Sequence, residues 1–274
     1  HKNPAVANIT FKQLATHSSG LSKQPSGWNW TTVGSLFSAN ILGNPYENLD
    51  KKFVFEYLET VELALNVAQG EESAKAEYSN VGVGLLGLIL SELEGQSYSQ
   101  MIQENVLSPL NMQASTAGYP TDKDKMVAGF GQFRTIGSVV LTAESDRWTF
   151  TDVLAGAGAI NSSLSDMMKF LGHSMASYQQ PRYKDENNLV PIGKNSQVNL
   201  GWLVTPLNEE KTANFVFHNG ATGGFRSFLG FDESSNTGVV ILSNSTRYVD
   251  ALGKDILSAL IKDEAMIALA GSLN

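Results

Sequence analysis

Cysteine is absent from the 274 residues. That removes disulfides, Cys-ligated zinc, iron–sulfur clusters and thiol nucleophiles together. It leaves the compartment open, because exported and cytosolic proteins can both lack the residue. Histidine is nearly as scarce. His1, His17, His173 and His218 are the full set, no two lie within one helical turn, and no H-E-x-x-H occurs. No metal site or other cofactor is expected on that basis. Positive charge is short as well: 19 Lys and Arg stand against 27 Asp and Glu, a net charge of -8. A nucleic-acid surface needs clustered Lys and Arg, so no nucleic-acid partner is expected. Long apolar runs are missing too. The longest, VGVGLLGLIL at 81–90, is half of the roughly 20 residues that a membrane-spanning helix needs. Internal repeats and low-complexity tracts are lacking.

What is present suits a packed protein. With 42% apolar and 17% charged residues, the chain can bury a full core, and a disordered tail protein is excluded. Residues 18–46, rich in Ser, Gly, Asn and Pro, read as a long surface excursion. From Asp50 the pattern turns helical, with Val54, Leu58, Val61 and Leu65 at helical spacing. Further helices are predicted over 81–94 and 98–106, the latter closed by a left-handed Asn111. Another starts at the capping box Ser163-x-x-Asp166. Residues 178–199 are polar and irregular and suggest a boundary. The period then shortens, and 201–206, 214–218, 227–232 and 238–244 read as four strands. A terminal helix follows with Val249, Leu252, Ile256 and Leu260 on one stripe. The expected class is α+β: a mostly helical part over 1–177, then antiparallel strands and a C-terminal helix over 178–274.

Four patterns could carry chemistry. Gly82-x-Gly84-x-x-Gly87 matches the dinucleotide fingerprint, but no buried strand precedes it, so tight helix packing is the plainer account. Gly172-His173-Ser174-Met175-Ala176 approximates a nucleophile elbow, which would make Ser174 the serine of an α/β-hydrolase. An elbow needs a strand ending at the serine, whereas 164–171 reads as helix, with Ser174 exposed at its C-terminus. Tyr78-Ser79-Asn80 alone reads as a half-buried ring with polar neighbours. His218-Asn219-Gly220, at the end of an apolar run and followed by Ala221-Thr222-Gly223-Gly224, alone reads as a structural histidine before a turn.

Together and in order, the last two patterns mean more. The chain resembles the serine β-lactamase and penicillin-binding protein superfamily, particularly its class C β-lactamase, DD-peptidase and related esterase branch. LATHSSGL (14–21) looks like that family's H-T-S-G-L segment. The stretch at 78–112 is similar to its Y-x-N motif and the helices after it. Residues 155–171 resemble its glycine turn and capped helix. FHNGATGGFRSFLGFD (217–232) resembles its third motif and the next strand. The resemblance implies that Tyr78 relays a proton between nucleophile and leaving group. That role requires neighbouring positive charge to lower its pKa. It implies that Asn80 holds the substrate's amide side chain, and that His218, where relatives carry the Lys of K-T-G, offers a cationic donor to the substrate carboxylate. The Ala221 N–H becomes the strand-side oxyanion donor, and Gly220, Gly223 and Gly224 let the acyl group approach. β-Lactams or D-amino-acyl peptides and esters are the implied substrates, and a periplasmic or secreted location is implied with them.

The family's nucleophile is the serine of S-x-x-K, and no serine here has lysine three residues later. The chain opens on His1 without a leader, and only sixteen residues precede His17. The nucleophile, its lysine and the first strands are therefore expected outside these residues, supplied by a second fragment or subunit. The alternative is a non-catalytic penicillin-fold binding protein. Four or five core side chains lost with that segment amount to about 8–10 kcal/mol, set against typical stabilities of about 5–15 kcal/mol. The chain by itself is expected to be inactive and unstable.

Overall fold

The computed structural model describes residues 3–24, 44, 46, 49–63, 75–118, 126–136, 139–206 and 214–272, with backbone alone for 132–136, 139–140 and 263–272. In chain order the helices are α1 (Phe11–Ala15), α2 (Lys51–Thr60), α3 (Asn80–Glu94), α4 (Tyr98–Ile102), α5 (Leu164–Tyr178), α6 (Pro181–Lys184) and α7 (Asp250–Ser272). The strands are β1 (Thr116–Ala117), β2 (Gly129–Ile136), β3 (Val139–Ser145), β4 (Ile160–Asn161), β5 (Leu189–Ile192), β6 (Ser196–Asn199), β7 (Trp202–Pro206), β8 (Asn214–Thr222), β9 (Phe225–Asp232) and β10 (Gly238–Ser243).

Caps set several of these ends. The Asp50 carboxylate accepts the Phe53 N–H at 2.7 Å and starts α2, which ends when Val61 turns extended. Ser79 caps α3 through the Gly82 N–H, and Gly95, at φ 66°, closes it. Asn111 is left-handed as expected, at φ 53°. The 98–106 helix is shorter than its periodicity: α4 stops at Ile102, and a π turn runs over Gln103–Leu107. Ser163 does accept the Asp166 N–H, but Asp166 does not return the bond. Its carboxylate takes the Ala114 N–H, the Ser115 hydroxyl and Lys169 instead.

Six antiparallel strands form the main sheet in the order β10-β9-β8-β7-β6-β5. Side-chain alternation sends Phe215, Phe217, Phe228 and Val239 to a face covered by α7, through Val249 and Leu257. Val216, Leu229 and Phe231 face α5 through Leu171 and Tyr178. The result is the expected α+β arrangement, a sheet between helices. A separate helical core gathers Leu14, Leu21, Tyr46, Val54, Leu58, Val81, Leu85 and Leu154.

Three expectations change. Residues 178–199 are not a plain irregular boundary, because β5 and β6 lie there and extend the sheet from four strands to six. The excursion at 18–46 is not all surface: Ser18, Ser19, Leu21 and Tyr46 are buried, and 25–43 lie outside the described residues, as does Leu65. The stripe on α7 is displaced by one residue. Val249, Gly253 and Leu257 face the sheet, while Leu252, Ile256 and Leu260 are 53%, 37% and 40% exposed. Gly253 sits there because the Phe228 ring occupies the space a β-carbon would take.

The two sheet edges differ. β5 carries Pro191, whose carbonyl accepts the Ala76 N–H at 2.7 Å, so that edge is blunted and covered. Among the described residues β10 pairs with β9 alone along 238–243. Its Val239-Val240-Ile241-Leu242 run is apolar on both faces, the composition of an interior strand. The α7 flank follows from its neighbours. Asp250 accepts from Asn219 on β8 and the Lys254 ammonium lies 4.4 Å from the Phe217 ring centre, also on β8. Leu252, Ile256 and Leu260 lie on the other flank of α7 and are exposed.

Candidate active site

Three elements bring the candidate residues together. Tyr78 immediately precedes the Ser79 cap of α3, His17 lies in the turn after α1, and His218 lies midway along β8. The Tyr78 ring centre is 4.3 Å from that of His17 and 6.2 Å from that of His218. Beyond Leu203↔Phe217, β8 runs on without a β7 partner, so among the described residues 218–222 pair with β9 alone. His218, Gly220 and Ala221 all lie on that one-sided stretch, and Ala221 is exposed.

Asn80 is part of a different contact set. Its side-chain amide donates to the Tyr46 hydroxyl at 3.1 Å, which in turn donates to the Gln24 side-chain oxygen at 2.9 Å. Tyr46 stacks on Phe150. Tyr46 carried no signal in the sequence, and its pairing with Asn80 is a spatial fact alone.

The electrostatics depart from expectation at both titrating positions. Burial, reinforced by the nearby Tyr46, pushes the Tyr78 phenol above its ordinary value. No lowering by positive charge occurs, because both flanking imidazoles are held neutral. Burial lowers the His218 pKa against the opposing pull of the Asn219 carbonyl. His218 Nδ1 lies 2.6 Å from that carbonyl. A carbonyl only accepts, so Nδ1 carries the proton and the neutral ring presents Nε2 as an acceptor. The expected cationic donor therefore exists only after protonation, which acid favours.

His17 is lowered further, to about 4, by burial and then by repulsion from His218. It is 2% exposed. The unfolded chain takes up this proton near pH 6.5, whereas the folded chain resists until about 4. Stability is therefore complete above pH 6.5 and falls as pH drops between those values, by about 3 kcal/mol. Urea midpoints measured at pH 7 and pH 4.5 check this, and His17→Asn should flatten most of the difference.

The glycines of the third motif stand where a β-carbon would clash. A β-carbon at Gly220 would strike the Ser227 hydroxyl of β9, and one at Gly223 the Asp146 carbonyl. At Gly224, with φ 76°, it would lie 2.8 Å from the Gly129 α-carbon. Gly223 and Gly224 seat the β8–β9 turn against the β2–β3 hairpin, and Gly220 packs against β9. The Gly82–Gly87 fingerprint is helix packing: a β-carbon on Gly84 would come 2.5 Å from Leu154, and one on Gly87 2.9 Å from Tyr98. Ser174 is inside α5, not exposed at its end. It is buried and its hydroxyl donates to the Phe170 carbonyl at 2.7 Å, so no strand-turn elbow exists there.

The sequence pattern of the family described as Beta-lactamase matches residues 2–262. The chain belongs to the β-lactamase family. Among its curated relatives, "Protein flp" of Staphylococcus aureus is 27% identical over 97% of this chain and 49% of its own length. The D-alanyl-D-alanine-carboxypeptidase/endopeptidase AmpH of Escherichia coli is 25% identical over 88% of this chain and 60% of its own length. The chain thus spans about half the length of the first of these relatives. The fold is that of D-amino acid amidase from Ochrobactrum anthropi, with a TM-score of 0.64 at 19% identity over 87% of this chain and 66% of the other. It is equally that of a class C β-lactamase, with a TM-score of 0.64 at 19% identity, covering 93% and 70% of the two chains. Members of the β-lactamase family with this fold include hydrolases.

Proposed function

We propose that this β-lactamase family chain forms most of a serine acyl-transfer site whose nucleophile comes from polypeptide outside the 274 residues. The substrates are β-lactams or D-amino-acyl peptides and esters, handled outside the cytoplasm. The supporting observation is the placement of Tyr78 between His17 and His218 beside the one-sided end of β8. An extended acyl group laid along 218–222 has a strand edge to lie on, with the Ala221 N–H as oxyanion donor and Gly220 beside it. Asn80 holds the amide side chain, exchanging its bond to Tyr46 for one to substrate. His218 meets the substrate carboxylate once protonated.

In acylation the serine oxygen bonds to the carbonyl carbon and the C–N or C–O bond to the leaving group breaks. The hydroxyl proton passes through Tyr78 Oη to the departing atom, and water repeats the sequence in deacylation. Tyr78 takes that proton as phenolate. Its raised pKa means that the present surroundings do not supply the cation this requires. The lysine of an S-x-x-K segment is the matching cation.

The same polypeptide is the occupant assigned to the open β10 edge. An added strand there would satisfy the edge, and an apolar helix face beside α7 would cover Leu252, Ile256 and Leu260. The 274-residue chain expressed alone should therefore fail to give a reversible two-state melt as a monomer, whereas protein from the complete reading frame should give one. A cooperative, reversible, monomeric melt of the chain alone would refute the partner. A non-catalytic binding protein is the second reading, favoured by the neutral Tyr78 and histidines. A complete reading frame lacking S-x-x-K would select it.

A further inference from the structure

We propose that His17 is the positioning residue for Tyr78, clamping the main chain on both sides of it and backing its ring. The carbonyl of His17 accepts the Glu77 N–H at 2.9 Å, and its Nδ1 accepts the Ser79 N–H at 3.1 Å. Glu77 and Ser79 bracket Tyr78, so one histidine holds both flanking peptide groups. The imidazole then closes off one side of the phenol, with ring centres 4.3 Å apart and planes tilted by 36°. A backbone N–H can only donate, so Nδ1 is unprotonated and the neutral ring is the Nε2–H tautomer.

The backbone makes the clamp a built feature. His17 has φ 55°, a left-handed conformation that strains a residue with a β-carbon. Two bonds to α1 help to hold that turn, Ser18 N–H to the Gln13 carbonyl at 2.9 Å and Thr16 N–H to the Lys12 carbonyl at 2.8 Å. The ring is 2% exposed. No other single side chain combines these contacts: asparagine offers the acceptor and tolerates the backbone but has no ring, and phenylalanine offers the ring without the acceptor. The catalytic meaning rests on the reading of Tyr78 as proton relay, but the geometry does not.

The test uses protein from the complete reading frame, labelled with ¹³C at the tyrosine Cζ, in three forms: unsubstituted, His17→Asn and His17→Phe. Acylation by a fluorescent penicillin is resolved into binding and the first-order acylation step. Both variants should slow the acylation step by about ten- to a hundredfold with binding nearly unchanged. His17→Asn should also move the Tyr78 titration downward toward the ordinary tyrosine value, because water replaces the ring, while His17→Phe should leave it in place. Unchanged acylation and unchanged Tyr78 titration in His17→Asn, with only a lower melting temperature, would overturn the proposal. If His17→Phe does not fold, His17→Asn decides alone. Tyr78→Phe, run alongside, separates the two readings. Unimpaired acylation there would remove the relay role, while the Tyr78 titration in His17→Asn would still test the clamp.

Discussion

Tyr78→Phe is expected to slow acylation of the complete protein by about a hundred- to ten-thousandfold, with little change in melting temperature. The separation between the two effects follows from the geometry. Among the described residues the Tyr78 hydroxyl has no hydrogen-bond partner, and its ring lies against His17 and His218. Removing the oxygen therefore costs no folding bond, and the ring that packs on His17 stays. Only the proposed proton carrier is lost. Stopped-flow acylation with a fluorescent penicillin, beside a thermal melt, reads both quantities. An acylation rate within threefold of the unsubstituted protein would end the relay role. A large drop in melting temperature would show that the hydroxyl has a structural bond the account omits.

Phe228→Ala should cost about 3–5 kcal/mol, a large share of a typical domain's stability. Phe228 is 0% exposed and stacks on Phe217 of β8 with ring centres 5.6 Å apart. It pairs with Ile241 on one side and Asn219 on the other, and lies directly beneath Gly253 of α7. It therefore ties the strand that carries His218 to the terminal helix. The contact with Gly253 gives a second arm. Gly253→Ala alone should destabilise, because its methyl group meets the ring, but in the Phe228→Ala background it should be close to neutral. Urea unfolding of the four proteins gives the coupling. Additive effects would show that the helix does not pack on this ring.

How far these features were legible varies with the physical signal behind each. β7 to β10 were readable because alternation and β-branched residues mark half-buried strands. β5 and β6 were not: each has four residues, one carries Pro191, and their place in the sheet comes from β6 pairing with β7 and β5 pairing with β6. The α7 stripe was misplaced by one residue because a hydropathy pattern scores Gly253 as nothing, while packing against Phe228 makes it the contact point. At the site, Tyr78 and His218 could be named only as members of an ordered set of motifs. Their neutrality could not be named, since it arises from burial and from neighbours far apart in sequence. His17 stood in the quoted LATHSSGL segment without a role. Its left-handed backbone and its bond across 62 residues to Ser79 leave no periodic trace.

The central claim is that the chain holds the relay and the strand edge but not the nucleophile. Fluorescent-penicillin labelling of the purified protein, followed by denaturing intact-mass analysis, tests it most directly. The account predicts an unmodified 29.6 kDa chain, with any adduct carried by a second polypeptide. A penicilloyl adduct on the 29.6 kDa chain itself would contradict it.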